Sequence, residues 1–269
     1  MKILLLGHRG MLGQEVFRLL TSRGLDVGII ETTVTHQLLF DNYHGMLGYD
    51  FIVNCIGKIP QTSADFSINY QLSIWLEELS GRGCKIIEAG TDCTFSGKIG
   101  EDEFYKLYAP LDADGAYGIS KMRMEKFVRM CDPTRHKIIK TSIIGYDAKN
   151  SSLLSWFLSK KDGEEVSGYL NHYWNGITTL EWAELCYQLV INWSADKDYC
   201  QIPDFKHYIQ VGTYKVSKFD MLNIFNRIYN RKIEVVPIET PISCNRCLYP
   251  YWHMGEIEEQ IKRLAKTYE

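Results

Sequence analysis

Three glycines, Gly7, Gly10 and Gly13, stand at three-residue spacing directly behind the apolar run Ile3–Leu6, and no other feature of the chain restricts its fold as strongly. The run Lys2–Leu6 reads as a buried strand. Met11–Thr21 reads as a helix, with Leu12, Val16, Leu19 and Leu20 on one face. The glycines therefore fall where a first strand hands over to a first helix. Residues without a Cβ permit the tight turn there and let the main chain approach a diphosphate, whose charge the helix N-terminus favours. The spacing differs from the common G-x-G-x-x-G pattern of dinucleotide-binding turns.

The alternation continues. Val27–Ile30, Phe51–Cys55, Lys85–Ala89 and Lys137–Ile144 read as strands, with helices expected over Ser67–Ser80 and Tyr117–Met130. Strands separated by helices build βαβ units, so the expectation is an α/β fold: a Rossmann-like, doubly wound parallel sheet with helices on both faces. Beyond about residue 150 the alternation loosens. Helices are expected over Thr178–Asn192, opened by a Thr-Thr-x-Glu start like a capping box, and over Phe219–Tyr229 and Gly255–Tyr268. A short strand, Lys232–Val236, is expected to stop at Pro237. The reading is a dinucleotide-binding domain over 1–150 and a smaller α/β substrate-binding lobe over 151–269, interwoven with it.

The chain has 269 residues, 45% of them hydrophobic, enough for a large core. Its 30 Lys and Arg against 33 Asp and Glu leave a net charge of −3, which gives no basic footprint for nucleic acid or an anionic membrane. No apolar run approaches the ~20 residues of a membrane span, and Ile3–Leu6 is too short for a leader, so a cytoplasmic protein is expected. The 17 tyrosines fit a groove for polar ligands. The eight cysteines are scattered as small buried hydrophobes of a reducing compartment. The one close pair, Cys244 and Cys247, lacks a second pair, so no metal centre is expected.

Two further motifs carry chemistry. Tyr117 and Lys121 stand at i and i+4 in an expected helix, on one face. A phenol with an ordinary pKa near ~10 is a poor acid–base group at neutral pH. A neighbouring ammonium favours the phenolate, and the pair can then exchange a proton with a carbonyl or carbinol oxygen. Thr91 and Asp92 directly follow the strand Lys85–Ala89, and a hydroxyl at the carboxyl end of a sheet strand can hold a substrate oxygen.

Glycine loop, Thr and Tyr/Lys pair together resemble the extended short-chain dehydrogenases/reductases, and within them the dTDP-4-dehydrorhamnose reductases and related nucleotide-sugar reductases. The likeness runs through Val53-Asn-Cys-Ile-Gly57, Gly90-Thr-Asp-Cys-Thr-Phe-Ser-Gly97, Tyr117-Gly-Ile-Ser-Lys121 and Lys140-Thr-Ser-Ile-Ile-Gly145, and extends to Asn175-Gly-Ile-Thr and Asn245-Arg-Cys-Leu248. The resemblance implies a catalytic set of Thr91, Tyr117 and Lys121. It implies a cofactor site from Gly7, Arg9, Gly10, Met11, Leu12, Gly13, Glu31, Cys55, Ile56 and Gly57, together with Tyr117 and Lys121. The loop is also similar to that of GDP-4-keto-6-deoxymannose epimerase/reductases, where the Arg helps receive the extra phosphate of NADPH. Arg9 thus favours NADP(H), while Glu31, placed to bond an unphosphorylated ribose, keeps NAD(H) as the alternative. For the nucleotide-sugar substrate, Arg246 is the candidate for the diphosphate. Lys58, Gln61, Thr91, Cys93 and Asn175 are the other candidate contacts, and Trp174 is a candidate wall of the sugar pocket.

The implied reaction is reduction of the C4 keto group of a nucleotide-linked 4-keto-6-deoxysugar in polysaccharide precursor synthesis. Cys93, standing where dehydratases carry a Glu, argues against dehydration. An epimerase/reductase would need a further acid–base pair, with Cys93 or His172 as candidates. A non-catalytic NADP-binding regulatory subunit, like the β subunit of methionine adenosyltransferase, is the third reading. A homodimer is the default expectation for a soluble enzyme.

Overall fold

The computed structural model describes residues 1–42, 48–79, 83–194 and 207–268. In chain order the elements are β1 (Lys2–Leu6), α1 (Met11–Ser22), β2 (Asp26–Ile29), α2 (His36–Asp41), β3 (Phe51–Asn54), α3 (Ile68–Leu79), β4 (Lys85–Ala89), α4 (Ala116–Val128), β5 (His136–Lys140) and β6 (Ile143–Ile144). They continue with α5 (Leu153–Leu158), β7 (Glu165–Tyr169), β8 (His172–Trp174), β9 (Ile177–Thr178), α6 (Thr179–Ser194), β10 (Tyr208–Gly212), β11 (Val216–Ser217), α7 (Lys218–Ile228), β12 (Glu234–Ile238), β13 (Cys244–Asn245), β14 (Trp252–His253) and α8 (Ile257–Thr267). The predicted helix end at Ser80 and Gly81, and Cys200, lie outside the described residues.

The chain divides into two compact units. The first comprises Met1–Gly90, Gly115–Lys140 and Trp182–Ile209. Its strands lie in the order β10-β5-β4-β3-β1-β2, and the pairs from β5 to β2 are all parallel. Strands of a parallel sheet with both faces covered cannot alternate polar and apolar residues. Accordingly Ile3–Leu6 and Phe51–Asn54 are buried throughout. One core cluster joins Leu4, Leu6, Ile52 and Ile86 of the sheet to Leu72, Leu76 and Leu79 of α3. Both α1, with Leu12, Val16, Leu19 and Leu20 buried, and β1 match the expected fold class.

The second unit comprises Thr91–Asp114, Thr141–Glu181 and Gln210–Glu269. The end of β10 belongs to it and pairs in parallel with β14, Val211 opposite Trp252, which brings the strands of the large sheet to seven. Its other sheets are small: β11-β8-β13, β12-β7 and β6-β9. Their core gathers Leu154, Phe157, Trp174, Met221, Phe225, Ile257, Ile261 and Leu264.

Two expected strands differ. Lys137–Ile144 is broken at Thr141–Ser142, because the Ser142 carbonyl accepts from Ile177 N (2.9 Å), and Ile143–Ile144 then pair with β9. Pro237 does not stop the second strand but lies inside β12, whose partner is β7 alone, so its missing N–H faces no second ladder. The expected capping box of α6 is half formed. Thr178 Oγ1 accepts from Glu181 N (3.3 Å), while the Glu181 carboxylate turns to Arg263 (2.6 Å). No helix among the described residues is long and apolar enough to cross a membrane.

Candidate active site

In the first unit the glycine loop makes a cradle out of main chain. Gly7 has φ +83°, and a Cβ on it would stand 2.9 Å from the carbonyl carbon of Cys55. A Cβ on Gly13 would stand 2.0 Å from Gly7 O. Gly10 N closes the turn on Gly7 O (2.9 Å) and caps α1 without any side chain, and no acidic residue lies in the first turn. The first N–H groups of α1 are thereby presented free of a competing carboxylate, as a diphosphate requires. Leu12 is buried and can offer only its N–H; Met11 is half-buried; Arg9 and Glu31 are exposed, so both are open to a ribose or its phosphate. The residues present fit a dinucleotide.

Beside the cradle, Asn54 fixes the turn after β3: its Oδ1 accepts from Ile56 N (3.0 Å) and its Nδ2 donates to Glu88 Oε2 (2.7 Å). The segment Cys55–Gly57 is held against Gly7 in this way. Burial pushes the Cys55 thiol well up, so it stays protonated.

Tyr117 lies in the first turn of α4, its ring edge-on to Phe66 with centroids 6.0 Å apart. Lys121, one turn later, is buried and donates from Nζ to Ala89 O (2.8 Å). Burial lowers the affinity of Lys121 for its proton, and Glu88, Glu125 and Cys55 act against that. An ammonium anchored on a main-chain carbonyl next to a buried carboxylate is a fixed positive charge on the Tyr117 face of the helix.

Asn69 of α3, missed by sequence reasoning, joins this constellation. Its amide accepts from Lys58 N (2.7 Å), donates to Lys58 O (2.9 Å) and donates to Ser120 Oγ (3.0 Å). It locks the segment carrying Lys58 to the helix carrying Tyr117 and Lys121. The side chains of Lys58 and Gln61 are exposed. The only sequence signal for Asn69 was a polar residue on a helix face that is apolar apart from Ser73.

In the second unit Thr91 opens a 3-10 turn, Asp92–Thr94. Its Oγ1 donates to Asp92 Oδ1 (3.2 Å) and accepts from Cys93 N (3.2 Å). The Cys93 thiol donates to Asp92 Oδ1 (3.5 Å), and burial with Asp92 pushes its pKa up to about 12. Arg246 is pinned by Nε to Phe95 O (2.9 Å), leaving the end of its guanidinium for a ligand. Gly97, at φ +84°, is the residue it packs on: a Cβ there would come 3.1 Å from Arg246 Cγ.

A second cation was missed. Ser217 of β11 and Asn245 of β13 both register with Tyr173 of β8. Lys218 directly follows Ser217 at the start of α7, and Arg246 directly follows Asn245, so both cations leave that small sheet beside His172. Burial, then Lys218 and Arg246, hold the His172 imidazole below its usual pKa, as this placement requires. Lys218 in turn loses proton affinity through burial, with Asp92, Cys93 and Cys244 working to restore it.

Asn175 has a different occupation from the one its motif suggested. It is buried, with Nδ2 donating to Leu248 O (2.7 Å) and Oδ1 accepting from Leu248 N (3.0 Å). Both ends of the amide hold the segment that carries Arg246. Trp174 is buried, its Nε1 donating to Ser142 Oγ (2.9 Å). The unit also has an open cavity of 590 Å³ lined by Phe104, Tyr105, Tyr108, Pro110 and Tyr251, among others, which is within the usual size of ligand pockets.

A family model described as the RmlD substrate binding domain matches residues 1–262. Among solved structures, the chain is similar to a dTDP-4-dehydrorhamnose reductase from Clostridium acetobutylicum at 16% identity and TM-score 0.77, over 100% of this chain and 99% of that one. It is similar to the dTDP-4-dehydrorhamnose reductase of Bacillus anthracis in complex with NADP, at 15% identity, TM-score 0.74 and 99% of both chains. It is also similar to a dTDP-glucose 4,6-dehydratase from Bacillus anthracis in complex with NAD, at 12% identity and TM-score 0.74, over 100% of this chain and 96% of that one. At such identities the likeness establishes the fold. A comparison with curated proteins by sequence gives no match.

Proposed function

The chain belongs to the RmlD substrate binding domain family, and on that premise we propose that it is an NAD(P)H-dependent reductase of nucleotide-linked sugars. The acceptor in this reading is the C4 keto group of a 4-keto-6-deoxysugar, and the product serves as a glycan precursor. The observation that carries it is a single one: the glycine cradle and the Tyr117/Lys121 pair, with Lys121 fixed on Ala89 O, are built into the same parallel sheet unit.

A bound nicotinamide dinucleotide supplies the hydride. The protein's own work is proton delivery and orientation. Tyr117 gives its phenolic proton to the carbonyl oxygen as that oxygen gains charge, an effect typically worth ~10²–10⁴-fold. Lys121 favours the resulting phenolate by its charge. Thr91 is the second hydroxyl assigned to the substrate oxygen. Arg246 and Lys218 take the diphosphate as paired cations, with Arg246 able to bind it bidentately. Arg9 leans the cofactor toward NADPH, which agrees with the NADP complex of the Bacillus anthracis reductase; Glu31 leaves NADH as the weaker alternative.

An epimerase/reductase reading loses one of its two candidate bases, because the Cys93 thiol, pushed up to about 12, stays protonated near neutral pH. The test mixes the protein with NADPH or NADH and a panel of nucleotide-linked 4-keto-6-deoxysugars and follows loss of the reduced cofactor's absorbance. Turnover of at least one keto-sugar, faster with NADPH, is the expected result. Tight NADPH binding with no keto-sugar reduced would overturn the enzymatic reading in favour of a binding subunit.

A further inference from the structure

At the N-terminal edge of the parallel sheet, away from the glycine cradle, the first unit gathers three ligand-type side chains. Glu77 comes from the last turn of α3, Cys131 from the segment after α4, and His136 opens β5. One ligand atom from each lies within 4.8 Å of the other two. His136 Nδ1 is 3.1 Å from Glu77 Oε2. Cys131 is a free, half-buried thiol whose Sγ donates to Phe127 O (3.5 Å), and Glu77 is also partly exposed, so the cluster is reachable from solvent.

We propose that Glu77, Cys131 and His136 form a binding site for a thiophilic divalent cation of the zinc class. Four observations support this. The donor set is thiolate, imidazole and carboxylate, the set that zinc takes in proteins and that magnesium or calcium does not. The ligand atoms of a tetrahedral zinc ion at ~2.0–2.3 Å lie about 3.3–3.8 Å apart, so the cluster needs only a small adjustment. Cys131 and His136 stand in a short turn closed by Arg135 N and His136 N on Asp132 O, both 3.0 Å, which presets their separation.

The fourth observation is the far side of the imidazole. His136 Nε2 faces the buried Glu88 Oε1 at 3.4 Å, while Nδ1 points into the cluster. A carboxylate behind the non-ligating nitrogen fixes the tautomer and orientation of a metal-bound histidine and raises its basicity. Glu88 is itself held by Asn54. The Arg135 guanidinium lies 3.5 Å from Glu77 Oε1; it opposes a cation through space, and leaves Glu77 Oε2 as the ligating oxygen. The ion would tie the end of α3, the end of α4 and the start of β5 together, a structural role independent of the proposed reductase chemistry.

The full-length chain, stripped with a chelator and dialysed, is titrated with Zn²⁺ against a chromophoric competitor and separately with Co²⁺. The expected result is about one Zn²⁺ per chain, together with the near-ultraviolet charge-transfer band of a cobalt–thiolate bond. Affinity should fall as pH falls, since thiolate and neutral imidazole must form. Cys131→Ser should remove the cobalt band and weaken zinc about 100-fold, with far-ultraviolet circular dichroism unchanged; Glu77→Gln should weaken it roughly tenfold. Wild-type protein that retains no zinc at micromolar concentrations overturns the proposal. Equally, Cys131→Ser binding zinc like wild type would place the ion on another thiol and overturn it.

Discussion

The two units hold their working groups in different ways. In the first, main chain does most of the fixing: the Gly7–Gly13 turn is shaped by contacts of backbone on backbone, and Lys121 is anchored on the Ala89 carbonyl. In the second, strands are two to five residues long and cannot by themselves fix loops. Three asparagine amides take over. Asn171 bonds both N and O of Thr240, Asn175 both N and O of Leu248, and Asn245 donates to Gly100 O, Glu101 O and Glu103 O while accepting from Cys247 N. A primary amide offers a donor pair and an acceptor, so it can imitate a strand neighbour for one residue. In the proposed reading the difference divides the labour: proton delivery by Tyr117 and Lys121 rests on a rigid ladder, and substrate recognition, Thr91 included, on loops that can change without disturbing it.

The sharpest way to break that comparison is Tyr117→Phe. It should lower turnover ~10²–10⁴-fold while NADPH affinity, read by quenching of intrinsic fluorescence, stays within about twofold. Near-wild-type turnover would sink the assignment of the proton donor.

The next effect concerns the polar chain inside the first unit. Burial opposes the His136 charge, but Cys131, Glu77 and Glu88 outweigh it and raise its pKa to about 10, while Glu77 and Glu88 are lowered. The folded imidazole thus holds its proton more tightly than the unfolded one, whose pKa is ~6.5. Its contribution is complete below that value and is lost as pH rises through about 10. The contribution of the two carboxylates is complete above ~4.5 and is lost as pH falls. Denaturation in the presence of a chelator should show stability falling from pH ~6.5 upward, and His136→Gln should flatten that alkaline slope. A slope unchanged in the variant would remove His136 from this role.

In the second unit, Asn175→Ala deletes two buried hydrogen bonds and strands the Leu248 N–H and C=O. The expected loss is about 2–3 kcal/mol in urea unfolding. Substrate KM should rise more than cofactor Kd, because the segment that loosens carries Arg246. Equal losses for both ligands would contradict the division of labour. The smallest effect is Arg246→Ala, predicted to raise KM for a keto-sugar nucleotide roughly tenfold with kcat nearly kept, the mark of binding lost equally from ground and transition states.

The first unit was largely legible in the sequence. Its strands read as apolar runs because both faces are covered, and α1 shows its buried stripe openly. Much of the second unit was not: β8, β11, β13 and β14 are too short to display a period, β7 alternates in burial but fills one inward position with Gly168, and α7 began one residue earlier than expected, concealing Lys218 at its start. Among candidate residues, Gly7, Gly10 and Gly13 stood out by their spacing, and the structure gives a conformational reason for two of them: a positive φ at Gly7 and no room for a Cβ at Gly13. Asn175 stood out by motif, yet its amide is occupied by Leu248, a partner 73 residues away.

The sequence by itself determined the parallel α/β ladder, the glycine turn at its first strand and the placement of Tyr117 and Lys121 on one helical face, since all of these are encoded within a few neighbouring residues. Tertiary structure alone decided which polar side chains meet. Asn54 with Glu88 and Glu77 with His136 join residues 34 and 59 positions apart, and Lys218 and Arg246 both come to act on His172. Burial makes an unpaired polar group costly. Each such residue therefore takes its role from the partner the fold brings to it, and a linear pattern carries no record of that partner.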